Sequence, residues 1–243
     1  MFKKIFLIII CVLFISISSA CKEEENVLID EEVFSSAIQE LNNATNITID
    51  MNMKMLFEVQ DDEIIINSKS VTKVDGVYSY IISKIEDNNE SDSSLDSSSE
   101  SFVFVDGENI KVYNKMYNVW KLLYILSEDD YKQMNQNIWD IDNIDEMFVL
   151  ENNVWVGNLD KLNDELSGYM DNLLKEYAYA GLEVKSSNVE KYEIVLTEGH
   201  VDLITVEMRM VMTGEGETFE YNFVIEIKPH SIGSTLFEIP DGL

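Results

Sequence analysis

Apolar and polar residues alternate along most of this chain. Ile47, Ile49, Met51, Met53, Met55 and Phe57 fall on one side of an extended backbone, and Thr48, Asp50, Asn52 and Lys54 on the other. That period of two marks a long strand with one dry and one wet face. Asp61-Asp62 is a turn, Ile64 to Val74 a second strand, Asp75-Gly76 a turn, and Val77 to Ile85 a third strand, as in a meander of hairpins. Phe102 to Val105, the turn Asp106-Gly107, and Ile110 to Leu123 make another hairpin. The C-terminal part alternates again. Ile204, Val206, Met208, Met210 and Met212 face Phe219, Tyr221, Phe223, Ile225 and Ile227 across a Gly214-Glu215-Gly216-Glu217 turn. Tyr192, Ile194 and Leu196 belong to a strand before them, and a last short strand is expected from Thr235 to Ile239.

Helical periods interrupt this pattern. Val33, Phe34, Ala37, Ile38 and Leu41 form one apolar stripe behind an Asp30 cap, with Glu31 and Glu32 suited to the helix dipole. Ser127 to Asp130 suggests a capping box for a short helix carrying Tyr131, Met134 and Ile138. The broadest apolar face runs from Leu159 to Tyr177. Residues 86–101 are Ser, Asp, Asn and Glu with a lone Leu95, a solvated mobile loop. These elements predict one α+β domain over residues 30–243: a curved antiparallel sheet, a half-open barrel, with helices packed on its concave face.

The N-terminus has a different character. Met1-Phe2-Lys3-Lys4 precedes an apolar run from Ile5 to Ile17, then Ser18-Ser19-Ala20-Cys21. This is an export signal over residues 1–20. Small residues before Cys21 resemble the lipobox of bacterial lipoproteins. The resemblance implies that Cys21 takes a diacylglycerol and fatty acyl (palmitate-type) anchor and becomes the first mature residue. It also implies a cell-membrane protein on the extracytoplasmic face, with residues 21–29 as an acidic tether. Read without the resemblance, the same residues are an ordinary cleaved signal with an incidental Cys.

Of 243 residues, 46 are acidic and 17 basic, for a formal charge of −29. Loss of Lys3 and Lys4 with the signal takes the mature body to −31. That excludes nucleic acid, whose phosphates need basic side chains. It also holds the body off anionic lipid head groups. The two cysteines are Cys11, inside the signal, and Cys21. No disulfide, thiol nucleophile or Cys metal site is therefore expected in the domain. His200 and His230 are the only histidines, and no catalytic constellation or phosphate loop accompanies them. Asp140, Asp142 and Asp145 lack the Gly and Glu of a calcium loop. No enzyme activity, cofactor or metal is expected.

The hairpin Asp106-Gly107-Glu108-Asn109-Ile110-Lys111-Val112-Tyr113, continuing to Trp120-Lys121, resembles lipoprotein-carrier-like (LolA/LppX-like) domains in its setting of helix, meander, helices and closing meander. The resemblance covers roughly residues 30–239. It implies a half-open barrel whose members hold acyl chains between sheet and helices, or act as envelope sensors. It carries no catalytic residues. Six of the eleven methionines lie on the alternating apolar faces. Met is flexible and polarizable, and lines surfaces that accept variable apolar shapes. The candidate ligand wall is Ile49, Met51, Met53, Met55, Phe57, Ile204, Val206, Met208, Met210, Met212, Phe223 and Ile225, with Leu159 to Tyr177 as lid or plug. The ligand would be a lipid or other apolar molecule. The competing expectation is an envelope interaction or sensor protein whose interior is filled by its own side chains.

Overall fold

A computed structural model describes residues 31–59, 62–87, 97–107, 109–127, 144–166, 183–214 and 217–240. Period-two patterning prevails over nearly all of them. The first meander comprises β1 (Asn46–Val59), β2 (Asp62–Asp75), β3 (Tyr78–Asp87), β4 (Ser97–Asp106), β5 (Asn109–Met116) and β6 (Val119–Ser127). The second comprises β7 (Phe148–Glu151), β8 (Val154–Gly157), β9 (Glu183–Thr197), β10 (His200–Gly214) and β11 (Glu217–His230). They form one curved, unclosed antiparallel sheet in the order β6-β5-β4-β3-β2-β1-β11-β10-β9-β8-β7. Two hairpin fans are thus joined where the first strand meets the last. The result matches the expected half-barrel.

Register shifts between β9 and β10 fall at Val201/Leu203, Glu207/Met208 and Val211/Met212. Such bulges bend a strand and increase its twist. Tight turns rely on left-handed backbone: Tyr117 and Asn118 (φ 53° and 62°) join β5 to β6, and Asn152 and Asn153 (φ 52° and 66°) join β7 to β8. Positive φ at both central residues gives the turn type whose twist matches paired strands.

Helix α1 spans residues 31–43 and helix α2 includes residues 159–166. Both pack on one face of the sheet. Phe34, Ala37, Ile38 and Leu41 of α1 and Leu162 and Leu166 of α2 share a core with Phe148, Trp155, Tyr192, Ile194, Ile204 and Ile227. Each large buried side chain contributes on the order of 2 kcal/mol. Phe34 stacks on Trp155 with ring centroids 4.2 Å apart. Asn158 caps α2, its Oδ1 accepting from the Lys161 amide at 3.2 Å. Asn163 fastens α2 to β9: its amide donates to the Val189 carbonyl at 3.0 Å, and its oxygen accepts from the Val189 N–H at 2.7 Å. These bonds satisfy β9 backbone beside a register shift. Gly157 lies beneath α2, where a Cβ would sit 2.3 Å from Leu162 Cδ1.

Several expectations need correction. Residues 86–87 and 97–101 of the expected loop belong to strands, because β3 runs to Asp87 and β4 begins at Ser97; residues 88–96 lie outside the described residues. Ile110 to Leu123 is two strands, split at Tyr117-Asn118. The Thr235–Ile239 strand does not form. Residues 231–240 instead make a strap across the sheet face opposite the helices, bonded to the Asn46 and Thr48 side chains of β1 and, through the Gly233 N–H, to the Asn46 carbonyl, with no strand ladder. Val33 is 38% exposed and stands outside the buried stripe of α1. The Tyr131–Ile138 helix, Asp140 and Asp142, the helix beyond residue 166, and the tether and signal lie outside the described residues. No helix among the described residues is long and apolar enough to cross a membrane.

Candidate functional site

Strand parity and register assemble the apolar wall. Met51 is opposite Ile227, which is opposite Ile204. The next rows are Met53–Ile225–Val206 and Met55–Phe223–Met208. By register, Phe57 shares a row with Tyr221 and Met210, Met212 pairs with Phe219, and Ile49 lies one row back. All twelve candidate positions therefore occupy one continuous face of β1, β11 and β10, the face that carries the helices.

The wall has two halves. Near α1 and α2, Ile204 and Val206 are fully buried, with Ile49, Met51 and Ile225 packed against the same core as the helix side chains. Farther along, Met210, Met212 and Phe223 form a separate buried cluster with Met53, Met55, Met208 and Tyr221. Among the described residues, every member of this second cluster comes from β1, β10 or β11 and none from a helix.

The opposite face holds a site that sequence reasoning missed. Thr48, Lys73, Tyr80 and Phe102 are register neighbours there. The strap is fastened at Asn46, whose Oδ1 accepts from the Thr235 amide at 2.7 Å and whose Nδ2 donates to the Thr235 carbonyl at 3.0 Å. The Thr48 and Thr235 hydroxyls, both buried, bond to each other at 2.9 Å. Phe237 then joins Tyr80 and Phe102, with ring centroids 6.2 and 6.3 Å away. An open cavity of about 580 Å³ lies beside it, lined in part by Lys73, Tyr80, Glu100, Lys115, Trp120 and Phe237.

The polar centre of that cavity is one cluster. Tyr80 donates to Glu100 Oε2 at 2.6 Å, and Lys115 reaches both Glu100 oxygens at 2.8 and 3.0 Å. Lys115 also stands 5.9 Å from the centre of the Trp120 ring. Desolvation, then the hydrogen bond and charge of Glu100, push the Tyr80 phenol up to about 12. Hydrogen bonds from Lys115 and then Tyr80 hold the Glu100 carboxyl below its usual range. Both shifts move away from neutrality, so neither group is poised as a proton-transfer catalyst at physiological pH. The sequence signal was present in Tyr78 and Tyr80 on the nominally wet face of β3. It needed the strap to become a pocket. A second cavity of about 440 Å³ on this same face has polar walls, including Asn52, Lys54, Lys69, Glu86 and Glu226.

The two histidines are peripheral. His200 Nδ1 is 2.6 Å from Glu40 Oε2, and His230 Nε2 is 3.3 Å from Asp50 Oδ2, both exposed. Among the described residues no group of His, Cys, Asp and Glu could hold a metal ion.

No family model matches the chain. No curated protein matches it either. Among solved structures it is similar to a DUF1329 family protein from Desulfovibrio piger, at 8% identity and a TM-score of 0.28, covering 88% of this chain and 95% of that one. It is also similar to the ywiB protein from Bacillus subtilis, at 8% identity and a TM-score of 0.21, covering 78% and 98%. Likenesses of this size carry no argument, and the functional reading rests on the chain's own residues.

Proposed function

We propose that this protein is a LolA/LppX-like lipoprotein, anchored through Cys21 to the extracytoplasmic face of the cell membrane. It binds a lipid or other apolar molecule between sheet and helices and does no chemistry on it. The observation that carries the reading is the second half of the apolar wall. Met53, Met55, Met208, Met210 and Met212 gather around Phe223 with no described helix side chain among them. A thioether surface adapts to acyl chains of differing shape. The packed half of the wall, with α1 and α2, serves as the rigid end of the site.

One observation favours a second reading. Phe34, Leu162, Tyr192, Ile194 and Ile204 are 0% exposed, so the interior under the helices is already filled. An interaction or sensor protein would have such an interior throughout.

Native mass spectrometry on residues 22–243, purified without detergent, separates the two. The carrier reading expects a stoichiometric acyl lipid that is lost in a folded Met53→Trp/Met210→Trp variant. A clean apo mass that takes up no added lipid sinks it and leaves the interaction protein. In cells, Cys21→Ala should release the protein from membranes or leave it unprocessed. Continued fractionation as a processed membrane lipoprotein would refute the anchor.

A further inference from the structure

The β5–β6 hairpin departs from the rest of the surface. Residues 109–127 contain no carboxylate, although the chain has 46. They contain Lys111, Lys115 and Lys121, and many of their apolar side chains lie open although Ile110 is buried. Tyr117 at the turn is 93% exposed, Val119 57%, Leu122 47% and Ile125 56%. Leu122 follows Tyr113 and Phe102 onto the strap-bearing face, while Tyr124 follows Val112 and Val103 onto the helix-bearing face. Apolar surface is thus open on both sides of the outermost strand. Exposed apolar patches beyond roughly a few hundred Å² mark interaction sites.

The chemistry selects the occupant. Addition of a partner strand is disfavoured, because a register shift opposite Val112/Tyr113 interrupts β6 near Leu123. Bulges are a device that blunts sheet edges against pairing. A second copy of the mature body would bring its own formal −31, the whole-chain −29 less Lys3 and Lys4. The mixture of Tyr, Trp, aliphatic and Lys side chains is that of proteins at the bilayer interface, where rings and lysine stems sit apolar-end down. Water at head-group depth can bond the free backbone groups of an edge strand, which the hydrocarbon interior cannot. Position agrees. Helix α1 is under way by residue 31, ten residues after Cys21, so the tether spans at most roughly 35 Å. A carboxylate-rich body held that close turns its acid-free edge to the membrane.

We propose that the β5–β6 hairpin docks edge-on into the interfacial zone of a bilayer, with Tyr117 at its tip. The proposal rests on the anchored reading for its proximity and not on the apolar ligand. Lys111 is ion-paired with Asp106 and Lys115 with Glu100, so apolar contact rather than charge drives docking.

The test is flotation of residues 22–243 with phosphatidylcholine vesicles at low and high salt. This segment retains every residue of the described core, which lies between Phe34 and Ile227. Removing the anchor isolates the hairpin. The expected result is a vesicle-bound fraction that survives high salt and falls about tenfold in Tyr117→Asn/Leu122→Gln. Asn tolerates the positive φ at that turn, and both positions are exposed, so folding measured by circular dichroism should be retained. Absence of wild-type flotation overturns the proposal, as does undiminished flotation of the variant. A dimer by light scattering that the variant dissociates would assign the surface to a second copy instead. Lipid occupancy, measured separately, should be the same in wild type and variant, so failure of docking and failure of the ligand reading are told apart.

Discussion

Gly157→Ala probes how tightly α2 is seated on β8. Adding a methyl at an unstrained glycine ordinarily stabilises a protein by about 0.4–1 kcal/mol, through the unfolded chain. Here φ is not left-handed, so backbone strain does not enter. Space decides the sign. The new Cβ would lie 2.3 Å from Leu162 Cδ1 and 3.3 Å from both Phe148 Cε1 and Tyr192 Cβ. Leu162 is 0% exposed and has nowhere to swing. Overpacking of this kind costs about 1–3 kcal/mol, which outweighs the entropic gain. Leu162→Ala alone should cost about 2–5 kcal/mol as a cavity. In that background the Gly157 methyl meets no Cδ1 and fills part of the void. The double variant should therefore be more stable than the sum of single effects by about 1–2 kcal/mol. Urea unfolding of the four proteins gives the cycle. Additivity within about 0.5 kcal/mol, or stabilisation by Gly157→Ala alone, would refute the packing described here.

Two further predictions concern the opposite face. Asn46→Ala removes both side-chain bonds that hold Thr235. It should cost about 1–3 kcal/mol and speed protease cleavage within residues 231–240, and unchanged cleavage would mean that the Thr48–Thr235 bond, the Gly233 backbone bond and Phe237 suffice to hold the strap. The Tyr80–Glu100 pair should shape stability against pH. Tyr80, raised to about 12 from 10.0, keeps its proton in the native state where the unfolded chain loses it. Its contribution is complete below pH 10 and lost as pH rises through 12. Glu100, lowered from 4.5, contributes above that value and loses the contribution on acidification. Tyr80→Phe should flatten the alkaline limb and Glu100→Gln the acid limb of urea midpoints against pH. A wild-type-minus-Tyr80→Phe phenolate titration centred near 10 would contradict the assigned environment.

Parity made the wall legible. A strand with one wet face declares its side-chain directions, so the twelve wall positions could be assigned to faces before any register was known. How deeply each is covered could not be read. Burial of Met210 and Met212 depends on what lies over them, and no local pattern encodes that. The turn at Tyr117-Asn118 was hidden because tyrosine is not a residue that announces left-handed backbone. Thr235 to Ile239 looked like a strand because it alternates. Its backbone is satisfied by Asn46, 189 residues away, a partner that propensity cannot name. The Tyr80–Glu100–Lys115 cluster unites three strands and was invisible for the same reason.

The junction of β1 with β11 bears on how the protein comes into being. The sheet's middle strands are its first and last, and the Thr48–Thr235 bond spans 187 residues. At about 5–20 residues per second, β1 waits roughly 10–40 s for its partner to be synthesised. Neither fan can complete the shared face alone, so the chain folds after synthesis rather than during it, and slowly, as non-local sheets do. Under the proposed export and anchoring through Cys21, that delay is useful. A chain that cannot complete its sheet until β11 emerges would stay extended enough for the proposed export, and would close only afterwards.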